Sequence, residues 1–418
     1  MDINITPFPL FGKINAIGSK SDIHRLLICS AFADKKTEIR SFFCSDDINA
    51  TLNCLKALGA KAEISDGKCV VTPIKKVAEY PVFDCMESGT TLRFLLPVAC
   101  AVCEKASFSG RGRLPARPIE ELMSAIESGG VSFSKKKLPF ESEGKLNHGR
   151  FLLPGNVSSQ YISGLLTALC LVEGKSEIIL TTPLESSSYV DMTLSTLKLF
   201  GAEITAESGK YTVYGNGGFT SPETVTADGD WSNALFFMVA AAIKGKVEIN
   251  GLSLSSAQGD KAATEILRQS GANIEIKENS IIISKGKLCA FDTDISQIPD
   301  MLPALAVLAA FAKGTSEFSG GRRLRTKESD RIASTVELLT ALGGKAAETE
   351  DGIKVFGNGE LAGGTANGAN DHRIVMAAAT AATACKKNVI IKGAQAINKS
   401  YPTFFSDFSK LGGITNVI

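Results

Sequence analysis

Leu52-Asn53-Cys54-Leu55-Lys56-Ala57-Leu58-Gly59 runs into Ala60-Lys61-Ala62-Glu63-Ile64 and, past Asp66-Gly67, into Lys68-Cys69-Val70-Val71. The first segment has the apolar spacing of an amphipathic helix, and its closing glycine suits the left-handed position just beyond a helix end. The stretches on either side of Asp66-Gly67 read as two strands of a hairpin. The same order recurs. Leu122–Gly129, Leu194–Gly201, Ala263–Gly271, Thr335–Gly343 and Phe405–Gly412 close alike, with successive glycines 69 to 72 residues apart. A fixed period of that length is the mark of a repeat architecture.

A second set of helical segments interleaves with the first. They open at Ser21, Thr90, Ser159, Ser232, Asp300 and Asp371, and several are apolar almost all round, which describes buried helices. Each repeat therefore carries a buried helix, a strand, an amphipathic helix and two strands. One such unit cannot bury its faces alone, so three are expected to close around shared helices. The expected fold class is α/β (α+β), with two similar pseudo-threefold domains, each of three βαβαββ-type units. Domain boundaries are expected at 20–228, and at 1–19 with 229–418. The polar helix openings would face an interdomain cleft, and helix N-termini favour anions.

Composition bounds the partners. The 418 residues carry a net charge of +1, with 44% hydrophobic and 21% charged residues. No bulk charge points to nucleic acid or a membrane surface. The longest apolar run, Met301 to Ala312, is too short to span a bilayer. Met1–Pro7 has no signal-peptide pattern, and the ten cysteines are scattered through mostly apolar segments, so a reducing, cytoplasmic setting is expected. Cys100-Ala101-Val102-Cys103 has redox or zinc spacing but no companion pair, and reads as helix core.

Local clustering must then supply any anion affinity. Arg323-Leu324-Arg325-Thr326-Lys327-Glu328-Ser329-Asp330-Arg331 follows the loop Ser319-Gly320-Gly321, so its cations stand at a helix entrance. Taken alone a charge run is often a solvated face; here, beside free backbone N–H groups, it reads as an anion-binding catalytic loop. Glu328 would sit among Lys327, Arg325 and Arg331, a setting for proton transfer. The other openings carry Lys20, Ser21 and Arg25; Gly89, which permits close backbone approach; the rigid basic loop with Arg117; Ser158, Ser159 and Gln160; Ser186; Asp300; Arg373; and Lys399. His24 and His372 lack companion ligands, so no metal site is expected.

Eight motifs, in order along nearly the full chain, carry a resemblance: GSKSDIHR (18–25), SGTTLR (88–93), RLPARPI (113–119), SSQ (158–160), IPD (298–300), RTKESDR (325–331), NDHR (370–373) and KSYPTFF (399–405). The chain resembles the 3-phosphoshikimate 1-carboxyvinyltransferase (5-enolpyruvylshikimate-3-phosphate synthase) family. That resemblance implies a monomeric enzyme with two small-molecule substrates and no cofactor. Lys20, Ser21, Arg25, Ser158, Ser159, Gln160, Ser186, Asp300 and Lys327 would hold shikimate 3-phosphate. Lys20, Gly89, Arg117, Gln160, Arg331, Arg373 and Lys399 would receive phosphoenolpyruvate. Asp300 and Glu328, with Lys20 close by, would carry the proton transfers. Two rivals remain open: the sister transferase acting on UDP-N-acetylglucosamine, and an RNA-end-processing protein on the same repeats. The first typically has Lys-Asn and a catalytic Cys, where this chain has Lys20-Ser21 and no Cys in 111–118.

Overall fold

The computed structural model describes residues 1–278 and 280–418. The chain divides into two compact units, Gly18–Ala227 and Met1–Ile17 with Asp228–Ile418. Residues 18–227, the N-terminal unit, hold helices α1 (Lys20–Ala31), α2 (Asp46–Leu58), α3 (Gly89–Val102), α4 (Glu120–Ser128), α5 (Ser159–Cys170) and α6 (Ser187–Leu199). Nearly all of α1, α3 and α5 is buried, as their apolar composition requires. Their openings are capped by serines: Ser19 accepts from the Asp22 N–H, Ser88 from Thr91 and Ser158 from Gln160. Helix α5 lies so close to α3 that a Cβ on Gly164 would stand 2.2 Å from the Arg93 carbonyl oxygen. Only glycine fits there.

The C-terminal unit holds α7 (Trp231–Lys244), α8 (Ala263–Gln269), α9 (Leu302–Phe311), α10 (Arg331–Ala341), α11 (His372–Ala382) and α12 (Phe404–Lys410). Helices α7, α9 and α11 pack on one another at its centre. Every residue of α9 is buried, which explains why that segment has no polar face. Each fully buried large aliphatic side chain in this three-helix contact contributes about 2 kcal/mol.

The described residues form six four-stranded sheets with one common plan. In each, a short strand pairs parallel with the strand following the buried helix, and two antiparallel neighbours complete it. Thr224–Thr226, Thr37–Arg40, Lys68–Thr72 and Lys61–Ser65 form the first in that order. This sheet joins the two ends of the N-terminal unit. The first residues of the chain belong elsewhere. Leu10–Asn15 runs parallel to Gly245–Asn250, and Ile3–Thr6 lies between Val389–Lys392 and Ile414–Val417. Both are strands of the C-terminal unit, and both are needed to finish its sheets.

The repeat order read from the sequence is present in the first five copies, and in the sixth the second strand after α12 is replaced by Ile3–Thr6 from the start of the chain. One further detail differs. Gly59, Gly201, Gly271, Gly343 and Gly412 have the expected positive φ, but after α4 the left-handed residue is Gly130 at φ +104, with Gly129 at −91. Two consecutive glycines allowed the turn to form one residue later. Among the described residues, no helix is long and apolar enough to cross a membrane.

Candidate active site

In the C-terminal unit the charged run does not form one regular element. Arg322–Thr326 is a 3-10 turn, and Asp330 then caps α10, accepting from the Ala333 N–H. This brings Lys327, Glu328 and Arg331 toward Asp300, which lies in the 3-10 turn Pro299–Met301 ahead of α9. Arg331 is 1% exposed and forks between three carboxylates. Its Nη1 donates to Asp300 at 2.7 Å, Nη2 to Glu328 at 2.6 Å and Nε to Asp371 at 2.8 Å. Arg373, at the start of α11, holds the other Asp300 oxygen at 3.0 Å and its backbone carbonyl at 3.2 Å. Lys327 Nζ stands 3.8 Å from Asp300.

Electrostatics follow from this packing. Burial acts to raise the Asp300 pKa, but Arg373, Lys327 and Arg331 outweigh it and hold the carboxyl well below its usual range. Arg331 is likewise kept charged: burial opposes the charge, and Asp371, Glu328 and Asp300 overcome it. Lys327 goes the other way. Burial, reinforced by Arg331, brings it down to about 8 despite Asp300. Asp371 is fully buried and also caps α11, accepting from the Arg373 N–H and from Ser329. Lys399 Nζ donates to the Asn370 carbonyl at 2.6 Å, beside that cap. Arg325 is not part of the cluster, contrary to the sequence reading. It turns to Glu348 at 2.7 Å and Asp330 at 3.2 Å, because the 3-10 turn rotates it away from Glu328.

In the N-terminal unit the candidates form two groups. At the α3 opening, a Cβ on Gly89 would stand 2.7 Å from Nη1 of Arg117 and 2.8 Å from Nη1 of Arg93, so both guanidinium groups lie against this glycine. Arg93 donates to Gln160 Oε1 at 2.9 Å, and Gln160 Nε2 donates to Thr90 at 2.8 Å. That couples the α3 and α5 openings, where Ser158 caps and Ser159 is buried. The second group gathers at α1 and α6. Lys20 pairs with Asp47 at 2.7 Å. Buried Arg25 donates to Thr193 and to the carbonyls of Ser21 and Tyr189, and lies over the Phe94 ring at 5.0 Å. Burial lowers its pKa to about 10, leaving it charged at neutral pH. Ser186, buried just ahead of α6, holds a left-handed backbone at φ +54, an uncommon state for serine.

Residues not selected from the sequence also belong to this geometry: Arg93, Asp47 and Asp371. Arg93 and Asp371 sit inside motifs and Asp47 lies outside all of them, and the role of each depends on partners 27 to 67 residues away. Among the described residues no group of three or more His, Cys, Asp or Glu could hold a metal ion.

Paired carboxylates thus lie among guanidinium and ammonium groups at helix openings, on a fold of six repeats, a setting suited to anionic substrates. The chain matches the EPSP synthase (3-phosphoshikimate 1-carboxyvinyltransferase) family over residues 6–408. The 3-phosphoshikimate 1-carboxyvinyltransferase of Clostridium novyi (strain NT) is 39% identical over 426 residues, covering 99% of this chain and 98% of that one. That of Clostridium perfringens (strain ATCC 13124) is 40% identical, with 98% of each covered. The solved EPSP synthase of Acinetobacter baumannii superposes with a TM-score of 0.82 at 27% identity over the whole of both chains. The enolpyruvyl transferase NikO of Streptomyces tendae shares the fold, with a TM-score of 0.82 at 18% identity. This chain belongs to the EPSP synthase family.

Proposed function

We propose that the chain transfers the enolpyruvyl group of phosphoenolpyruvate to the 5-hydroxyl of shikimate 3-phosphate, releasing phosphate, in the shikimate pathway to aromatic amino acids. The observation that carries the reading is Asp300, held ionised between Arg331 and Arg373, with Glu328 on the same guanidinium. The addition needs the hydroxyl proton accepted and the phosphoenolpyruvate methylene protonated as the C–O bond forms. The elimination then removes a proton from the new methyl group as the C–OP bond breaks. Asp300 and Glu328 carry these transfers, with Lys20 sharing in them.

Lys20, Ser21, Arg25, Ser158, Ser159, Gln160, Ser186, Asp300 and Lys327 hold shikimate 3-phosphate. Lys20, Gly89, Arg117, Gln160, Arg331, Arg373 and Lys399 receive phosphoenolpyruvate. Their charges stabilise the developing phosphate and carboxylate without needing to reorganise. The enzyme works as a cytoplasmic monomer of two three-repeat domains. The test is a coupled phosphate-release assay. Release is expected only when both substrates are present; release with UDP-N-acetylglucosamine in place of shikimate 3-phosphate would overturn the reading.

A further inference from the structure

Behind the α1 and α3 openings runs a chain of neutral side chains that the reaction above does not use. His24 Nδ1 lies 2.8 Å from Thr51 Oγ1, Thr51 lies 2.7 Å from Thr91 Oγ1, and Thr91 donates to Ser88 Oγ at 2.8 Å. One residue comes from each of α1 and α2, and Thr91 with its cap Ser88 from α3. All four are buried, none more than 1% exposed. Asp47 stands one turn before Thr51 on α2, and its side chain holds Lys20.

The protons in this chain have one favoured arrangement. Burial, then the Lys20 and Arg25 charges, hold His24 well below its ordinary pKa, so the imidazole is neutral. Its Nε2 has no hydrogen-bond partner among the described residues. A buried N–H left unpaired costs more than a buried lone pair, so the proton belongs on Nδ1. His24 then donates to Thr51, Thr51 to Thr91, and Thr91 to Ser88. Ser88 Oγ also accepts the Thr91 N–H at 3.2 Å, so both its lone pairs are engaged. The aligned dipoles have their positive end at Ser88, the residue before Gly89, and add to the field of the α3 N-terminus.

We propose that His24, Thr51, Thr91 and Ser88 are positioning residues for phosphoenolpyruvate, fixing the α3 opening with Gly89, Arg93 and Arg117 at a set distance from Lys20. This rests on the substrate reading above. The geometry explains why hydroxyls occupy the interior of three packed helices where aliphatic side chains would otherwise fit. Lys20 is held through Asp47 to the same helix as Thr51.

The test is steady-state kinetics with thermal unfolding of Thr51→Val, Thr51→Ser and Ser88→Ala. Losing one hydrogen bond of the chain should raise the KM for phosphoenolpyruvate about tenfold. The KM for shikimate 3-phosphate should stay within about twofold, and Thr51→Ser should restore the wild-type value. Ser88→Ala, which alters packing little, should show the same split even where Thr51→Val folds poorly. An unchanged phosphoenolpyruvate KM in folded Ser88→Ala, or equal rises in both KM values, would overturn the proposal. A wild type that releases no phosphate from the two substrates would instead remove the reading on which it rests.

Discussion

Glu328 shows what a single carboxylate can be asked to do. It accepts from Arg331 Nη2 at 2.6 Å, and a glutamine could accept the same bond. Glu328→Gln should therefore keep the fold and most substrate affinity while removing the titratable oxygen. Turnover should drop by roughly a hundredfold or more, with both KM values little changed. Near-normal turnover would reduce Glu328 to a charge partner of Arg331. Lys327 makes a pH-dependent contribution. With its pKa at about 8, below the ~10.4 of a free lysine, it loses its charge in the folded enzyme before it would in the unfolded chain. Between those values the unfolded chain binds more protons, so this group makes stability rise with pH while the site loses a cation. In the proposed role Lys327 holds the phosphate dianion in its charged form, so kcat/KM for shikimate 3-phosphate should fall as pH rises through about 8. Lys327→Arg, whose charge persists, should move that limb out of range. A limb that stays in place would assign it to another group.

At the scale of elements, α9 opens from the turn at Asp300 without a side-chain cap, but the openings of the other five buried helices were legible in the sequence, because serine and aspartate caps precede long apolar runs. Their partners were not. Arg331 looked like one cation among four, and its character is set by Asp371 on α11 and Asp300 ahead of α9, which no local pattern connects to it. Likewise the Lys20 and Arg25 pairing with Asp47 and Thr193 depends on how α1 packs against α2 and α6. The shift from Gly129 to Gly130 has a smaller cause, since either glycine can adopt positive φ. The α3–α5 contact gives an element-scale prediction. A methyl at Gly164 would meet the Arg93 carbonyl at 2.2 Å, and backbone cannot turn aside as a flexible side chain can. Gly164→Ala should cost about 1–3 kcal/mol or more, seen as a lower unfolding midpoint. It should also raise the KM for phosphoenolpyruvate, because the helices carry the Arg93–Gln160 bond. A midpoint within error of the wild type would show that the helices can separate freely.

At the scale of the molecule, the chain leaves one compact unit, builds the other and returns. The sheet of Thr224–Thr226 with Thr37–Arg40 completes the N-terminal unit from its own residues, and its core residues run from Ile23 to Ala227 without help from residues 1–17. The C-terminal unit is different. Leu10–Asn15 and Ile3–Thr6 supply strands to two of its sheets, and Ile3, Ile5, Leu10 and Ile14 are part of its core. A fragment of residues 18–227 should therefore unfold in urea as one cooperative transition, since a unit of that size can bury a sufficient core. Deleting residues 1–17 from the whole chain should leave that transition and remove the one belonging to the C-terminal unit. It would also expose the unpaired edges of Gly245–Asn250 and Val389–Lys392, so aggregation should increase. The comparison is made by urea unfolding followed by far-UV circular dichroism on the fragment, the deletion and the full chain. A fragment with no cooperative transition would mean that the N-terminal unit, closed as its sheet is, cannot hold its three buried helices together alone.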